Sequence, residues 1–106
     1  MPTYVSLLNF TDQGIRNVKD TLERADRAAE LAEQKYGARL EQIYWTVGPY
    51  DIVLIIEAPD DESATALLLE AGSMGNIRST TLRAYDREEM RGIIERLGYP
   101  EGGCRF

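Results

Sequence analysis

At 106 residues the chain has the length of one domain, and a domain of that size buries roughly 60–65% of the surface its unfolded chain exposes, which supplies one core but little space for a deep pocket within a single subunit. Eighteen acidic residues against twelve basic ones leave a net charge of −6, the wrong sign for holding a phosphate backbone, so nucleic acid is not an expected partner. Histidine is absent and there is one cysteine, Cys104, which excludes Ser-His-Asp and Cys-His nucleophiles, the usual zinc sites, His-ligated haem and an internal disulfide.

In chain order, Thr3–Phe10 is rich in β-formers and ends on the turn-forming Thr11-Asp12-Gln13-Gly14, which predicts a first strand. Ile15, Val18, Leu22, Ala25, Ala29 and Ala32 then recur at helical spacing, predicting one apolar helix face. Asp20 and Glu23 have the spacing of a capping box, so the main helix is expected to begin near Thr21, after a separate turn or short helix, and to close at Gly37. Leu40–Val47 reads as a second strand. The tight Gly48-Pro49-Tyr50-Asp51 connection follows, because Pro49 lacks the donor a central ladder needs. Asp51–Ala58 is the third strand. Pro59-Asp60-Asp61-Glu62 starts a second main helix with its acids at the positive end of the dipole; Ala64, Leu67, Leu68 and Ala71 form its stripe and Gly72 ends it. After the Gly75-Asn76 turn come a fourth strand, Ile77–Tyr85, and a last helix, Asp86–Leu97, with Met90, Ile93, Ile94 and Leu97 on one face. Residues 1–97 are thus expected to form one domain. Residues 98–106 are expected to be a loosely ordered glycine-rich tail carrying Cys104 as an incidental thiol.

Strand, helix, strand, strand, helix, strand is the β-α-β-β-α-β order of an α+β ferredoxin-like sandwich. Right-handed crossovers give a four-stranded antiparallel sheet of order 4-1-3-2 with both main helices on one face. The other face should then alternate apolar with polar if it met water. It does not: Val53 and Ile55 in strand 3 are apolar on the side opposite Ile52, Leu54 and Ile56, and strand 1 has Val5 and Leu7 opposite Tyr4, Leu8 and Phe10. An open apolar face of this size predicts self-association, as a homodimer or higher homo-oligomer, by pairing of two sheets. No apolar run approaches the ~20 residues that cross a bilayer, and MPTYVSLLNF lacks a basic leader; a cytoplasmic protein with no membrane partner is the expectation.

Several blocks carry a family resemblance. Gly48-Pro49-Tyr50-Asp51-Ile52-Val53 resembles the sequence that names the GYD-domain family of small bacterial and archaeal proteins. Ser6 to Gly14, Lys19-Asp20-Thr21 with Arg24, Glu57-Ala58-Pro59-Asp60, and Gly75-Asn76-Ile77-Arg78 with Thr80 to Ala84 are similar to that family in the same order, together covering residues 2 to about 90. The chain departs from the pattern at Leu22, where proline is frequent, and at Pro49. The resemblance implies a dimeric α/β-barrel fold. It also implies kinship of architecture with two better-understood groups: cofactor-free monooxygenases and isomerases, and the amino-acid-binding effector domain of leucine-responsive regulators.

The topology brings certain residues to one rim, where strands 1 and 2 end and strands 3 and 4 begin. They are Asn9, Thr11, Tyr50, Asp51, Asn76 and Arg78, with Lys19 and Arg24 near the start of the main helix. A carboxylate, cations, a phenol and amides beside an apolar surface suit a small-molecule ligand; the same residue types also collect at strand ends because turns need them. Two functions follow. One is a binding domain for a small molecule, with no metal, haem or other cofactor. The alternative is a cofactor-free enzyme acting on a small aromatic or carbonyl compound, with Asp51 as the candidate general base.

Overall fold

The computed structural model describes residues 1–98, so the tail and Cys104 lie outside the described residues. The elements are β1 (Thr3–Phe10), α1 (Asp12–Arg16), a 3₁₀ turn (Val18–Asp20), α2 (Thr21–Tyr36), β2 (Arg39–Trp45), β3 (Ile52–Glu57), α3 (Asp61–Ser73), β4 (Ile77–Ala84) and α4 (Arg87–Leu97). The sheet has the order β2-β3-β1-β4 with every neighbour antiparallel, which is the ferredoxin-like arrangement predicted, with the C-terminal helix added.

The core lies between the sheet and the layer of α2 and α3. Tyr4 and Leu8 of β1, and Ile52 and Ile56 of β3, point down into it, where they meet Ala32 of α2 and Ala64, Leu67 and Leu68 of α3. Successive residues of a strand face opposite ways, so Val5, Leu7, Val53 and Ile55 lie on the other side. The register confirms that these four share one face, since directly opposed residues do: Val5 stands opposite both Ile55 and Leu82, and Leu7 opposite Val53 and Thr80. Tyr44 opposes Val53 on the same side. None of the main helices covers this surface. Leu82 is 50% exposed and Tyr44 56%.

Two local expectations are corrected. The apolar face read from Ile15 through Ala32 is not continuous: Leu22 is 64% exposed, and Ile15 and Val18 are also exposed. The backbone turns twice before Thr21, so Ile15 and Val18 lie on axes different from that of α2 and a shared period across them implies no shared face, whereas Leu22 is exposed within the first turn of α2 itself. Asp20 does not cap α2. Its φ of −94° and ψ of 6° continue the preceding turn, whereas a side-chain cap needs extended backbone. Thr11, Asp60 and Asp86 have that geometry and do cap α1, α3 and α4, with a full capping box at Asp86–Glu89. Observed ends otherwise differ from expectation by one or two residues.

Candidate functional site

The strand-end rim divides into two parts on opposite faces of the sheet. On the helix side, Thr11 is the hub. Its backbone N–H donates to the Asn76 carbonyl at 3.0 Å, its hydroxyl donates to the Gly75 carbonyl at 2.5 Å, and the same Oγ1 accepts the Gly14 N–H at 3.0 Å. Gln13 Nε2 donates to Met74 O and to Asn76 Oδ1, both at 3.1 Å. A Cβ on Gly14 would lie 1.9 Å from the Asn76 carbonyl oxygen, so only glycine allows this approach. The Thr-Asp-Gln-Gly and Gly-Asn blocks are thus two halves of one clasp that pins α1 to the start of β4.

On the open face, Asn9 stands opposite Arg78. Asp51, just before β3, does a backbone job: its Oδ2 accepts the Phe10 N–H at 2.8 Å, its own N–H donates to Leu8 O at 2.8 Å, and its carbonyl accepts the Thr46 N–H at 2.8 Å. Its carboxylate therefore ties the end of β1 to the start of β3. The Tyr50 carbonyl accepts the Thr46 hydroxyl at 2.5 Å, and Tyr50 is half-buried. Lys19 lies exposed on the 3₁₀ turn.

Arg24 is the rim residue with chemistry to spare. From the first turn of α2 it donates to Asn17 O at 2.8 Å and Gly14 O at 3.5 Å, leaving guanidinium N–H groups beyond those two bonds. It lines a partly open cavity of ≈ 90 Å³ between the helix layer and the sheet, whose walls include Leu8, Phe10, Ala28, Ile43, Ile52 and Leu67. Thr21 and Arg24 are its polar lining residues. A water needs only about 10–15 Å³ of such space but also two to four polar partners, and a lining with only Thr21 and Arg24 polar supplies few of them. Four alanines of α2 keep their helix from filling the space: Ala25, Ala28 and Ala32 line it, and Ala29 is half-buried beside them.

Sequence reasoning missed a second cluster, on the helix face of β1 and β4. Tyr4 donates its hydroxyl to Asp61 Oδ1, and buried Ser6 shares a 2.9 Å hydrogen bond with Thr81. The Arg83 guanidinium lies 4.4 Å from the Tyr85 ring centroid and 5.7 Å from that of Tyr4, and pairs with Glu89 at 3.2 Å. Burial first, then the Asp61 contact, holds the Tyr4 phenol up to about 12 from 10.0. The signal was an arginine at a core-facing position of β4, legible only once the register was known.

Residues 4–94 match the GYD domain family. The chain is 32% identical over 84 residues to a Thermus thermophilus protein named glutamine synthetase and cystathionine beta-lyase binding protein, across 79% of this chain and 88% of that one. Among solved structures, TTHA0845 from Thermus thermophilus is similar at a TM-score of 0.50 and 25% identity, over 82% of this chain and 100% of that one. MtbAldR is similar at a TM-score of 0.62 and 13% identity over 81% of this chain, which spans 52% of MtbAldR; that likeness shows the fold alone. With a family match over nearly all of the described residues, the chain belongs to the GYD domain family.

Proposed function

We propose that this chain is a homo-oligomeric binding domain whose ligand is a small, mainly apolar molecule carrying an anionic group. The observation that supports the reading is the ≈ 90 Å³ apolar cavity with Arg24 among its lining residues. Its walls offer dispersion and desolvation to a hydrocarbon body, and the guanidinium fork matches a carboxylate in geometry and charge. The net charge of −6 does not favour anions at long range, so affinity would come from Arg24 at close quarters. The open face of Val5, Leu7, Val53, Ile55 and Leu82 supports the oligomer, because a monomer would leave that surface in water.

Thermal unfolding in the presence of a series of short aliphatic and aromatic carboxylates tests the site. Ligand is expected to raise the melting temperature of the native chain. Arg24→Met, which keeps the stem and removes the fork, is expected to lose that shift; Ala28→Val is expected to weaken it while raising basal stability by about 1 kcal/mol through added burial. If both variants retain the full shift, the cavity is not the site.

A second reading is that the target is a protein, favoured by the name of the 32% identical Thermus relative. Titration with purified glutamine synthetase and cystathionine beta-lyase distinguishes it: binding of either, unchanged in Arg24→Met, supports the protein partner over the cavity.

A further inference from the structure

We infer that the free edge of β4 is a second self-association surface, pairing in antiparallel fashion with β4 of another copy. It is distinct from the open sheet face, and it does not depend on the ligand reading.

The backbone hydrogen-bond phase fixes what this edge offers. Ala58 N–H donates to Pro2 O at 3.1 Å, and Thr11 N–H to Asn76 O at 3.0 Å. Even-numbered residues of β1 therefore turn their backbone groups toward β3 and odd-numbered ones toward β4. In the observed register, Asn9, Leu7, Val5 and Thr3 oppose Arg78, Thr80, Leu82 and Ala84. Those four β4 residues satisfy β1. Ile77, Ser79, Thr81 and Arg83 point their N–H and C=O groups outward. Strand β4 ends the sheet, and among the described residues no group bonds the outward N–H of Ser79, Thr81 or Arg83.

The two edges of the sheet are not alike. β2 carries a register shift between Leu40 and Gln42, with Arg39 and Glu41 beside it, the kind of irregularity and charge that discourages edge pairing. β4 runs eight residues without a bulge, and its centre, Ser79-Thr80-Thr81-Leu82, has no proline and no charge. Such an edge is a template for another strand.

A second copy fits it by symmetry. A two-fold axis normal to the sheet keeps the helix layers on the same side, so paired residues must have the same parity. The same condition brings outward groups opposite outward groups. Centred on Thr80, the register sets Thr80 against Thr80 of the partner copy, Ser79 against its Thr81, Arg78 against its Leu82 and Ile77 against its Arg83. All four outward residues are used, giving about eight hydrogen bonds at two per bonded pair. Hydroxyl pairs fill the centre, and no arginine opposes another.

Amide hydrogen exchange read residue by residue, together with oligomeric mass, tests this on the full chain. At assembling concentration the amides of Thr81 and Arg83 are expected to be as protected as those of Thr80 and Leu82, and to lose protection on dilution. Ser79→Pro removes an outward donor while sparing the β1 ladder and the Ser6–Thr81 bond. It is expected to halve the oligomeric mass and unprotect Thr81 and Arg83, while Ile55→Asp leaves both protected. Outward amides that exchange at solvent-exposed rates in the assembled native protein overturn the inference, even if Ser79→Pro proves unfolded. Unchanged mass and protection in a folded Ser79→Pro also overturn it. Failure of the open-face pairing would show itself separately, as an Ile55→Asp variant of undiminished mass.

Discussion

Gly14 and Asp51 both serve the backbone. Gly14 permits α1 to rest on the Asn76 carbonyl, where any Cβ would collide at 1.9 Å. Gly14→Ala is expected to destabilise the domain by about 1–3 kcal/mol, the cost of forcing atoms into a packed site, and denaturant unfolding measures it. Asp51 poses a sharper question, because the same carboxylate is both the bond acceptor for Phe10 N–H and the candidate base of a cofactor-free enzyme. Asp51→Ala leaves that donor without its partner and is expected to cost about 1–3 kcal/mol. Asp51→Asn retains an acceptor oxygen and should stay folded. If the chain turns over a substrate through Asp51, Asp51→Asn loses the turnover with its melting temperature nearly unchanged; if Asp51 serves only the backbone, a substrate assay finds no difference between the two chains.

Among elements, the contact of β1 with α3 has a signature in pH. Tyr4 reaches Asp61 at the start of α3, and its phenol is held up to about 12, mainly by burial and then by that contact. The folded chain therefore favours the protonated phenol. The resulting stability is fully present below the unfolded value of about 10 and is lost as pH rises through the folded value near 12. Tyrosinate absorbance on alkaline titration is expected to show Tyr4 ionising last of the six tyrosines, together with unfolding and after Tyr36, whose phenol its hydrogen bond to Glu70 also holds up. Tyr4→Phe should abolish that late step; its persistence would assign it to another tyrosine. The last helix behaves differently from α2 and α3. It is tied back by Arg83–Glu89, yet Leu97 is 78% exposed and Met90 also lies open. Its amphipathic spacing was legible, but periodicity says only that a face is apolar, not which surface it meets.

For the whole molecule, the central expectation is that the open sheet face is covered by another copy. Ile55→Asp places a charge amid Val5, Val53 and their neighbours, where a paired sheet would leave it buried and unpartnered. Light scattering at micromolar concentration is expected to show the native chain at twice or more the 12.0 kDa chain mass and the variant at a lower mass than the native chain. A clean native monomer would refute the pairing. The described residues contain no helix long and apolar enough to cross a membrane.

The division between sequence and tertiary structure follows range. Strand and helix identities, their order, the antiparallel sheet and the apolar character of both its faces were all legible, because period-two and helical spacing, turn residues and crossover handedness act locally or through few topological choices. The residues of the rim were legible as a set, since strand ends of known order must meet. What they do there was not. That Asp51 serves Phe10, that Gly14 yields to Asn76 and that Arg24 lines a cavity depend on register and on the turns before α2. The Tyr4–Asp61–Arg83 cluster joins residues up to 79 positions apart in the chain, from Tyr4 to Arg83, and no local pattern encodes a contact of that separation. The alanines of α2 read as ordinary helix formers; only packing against the sheet turns their small size into an unfilled volume.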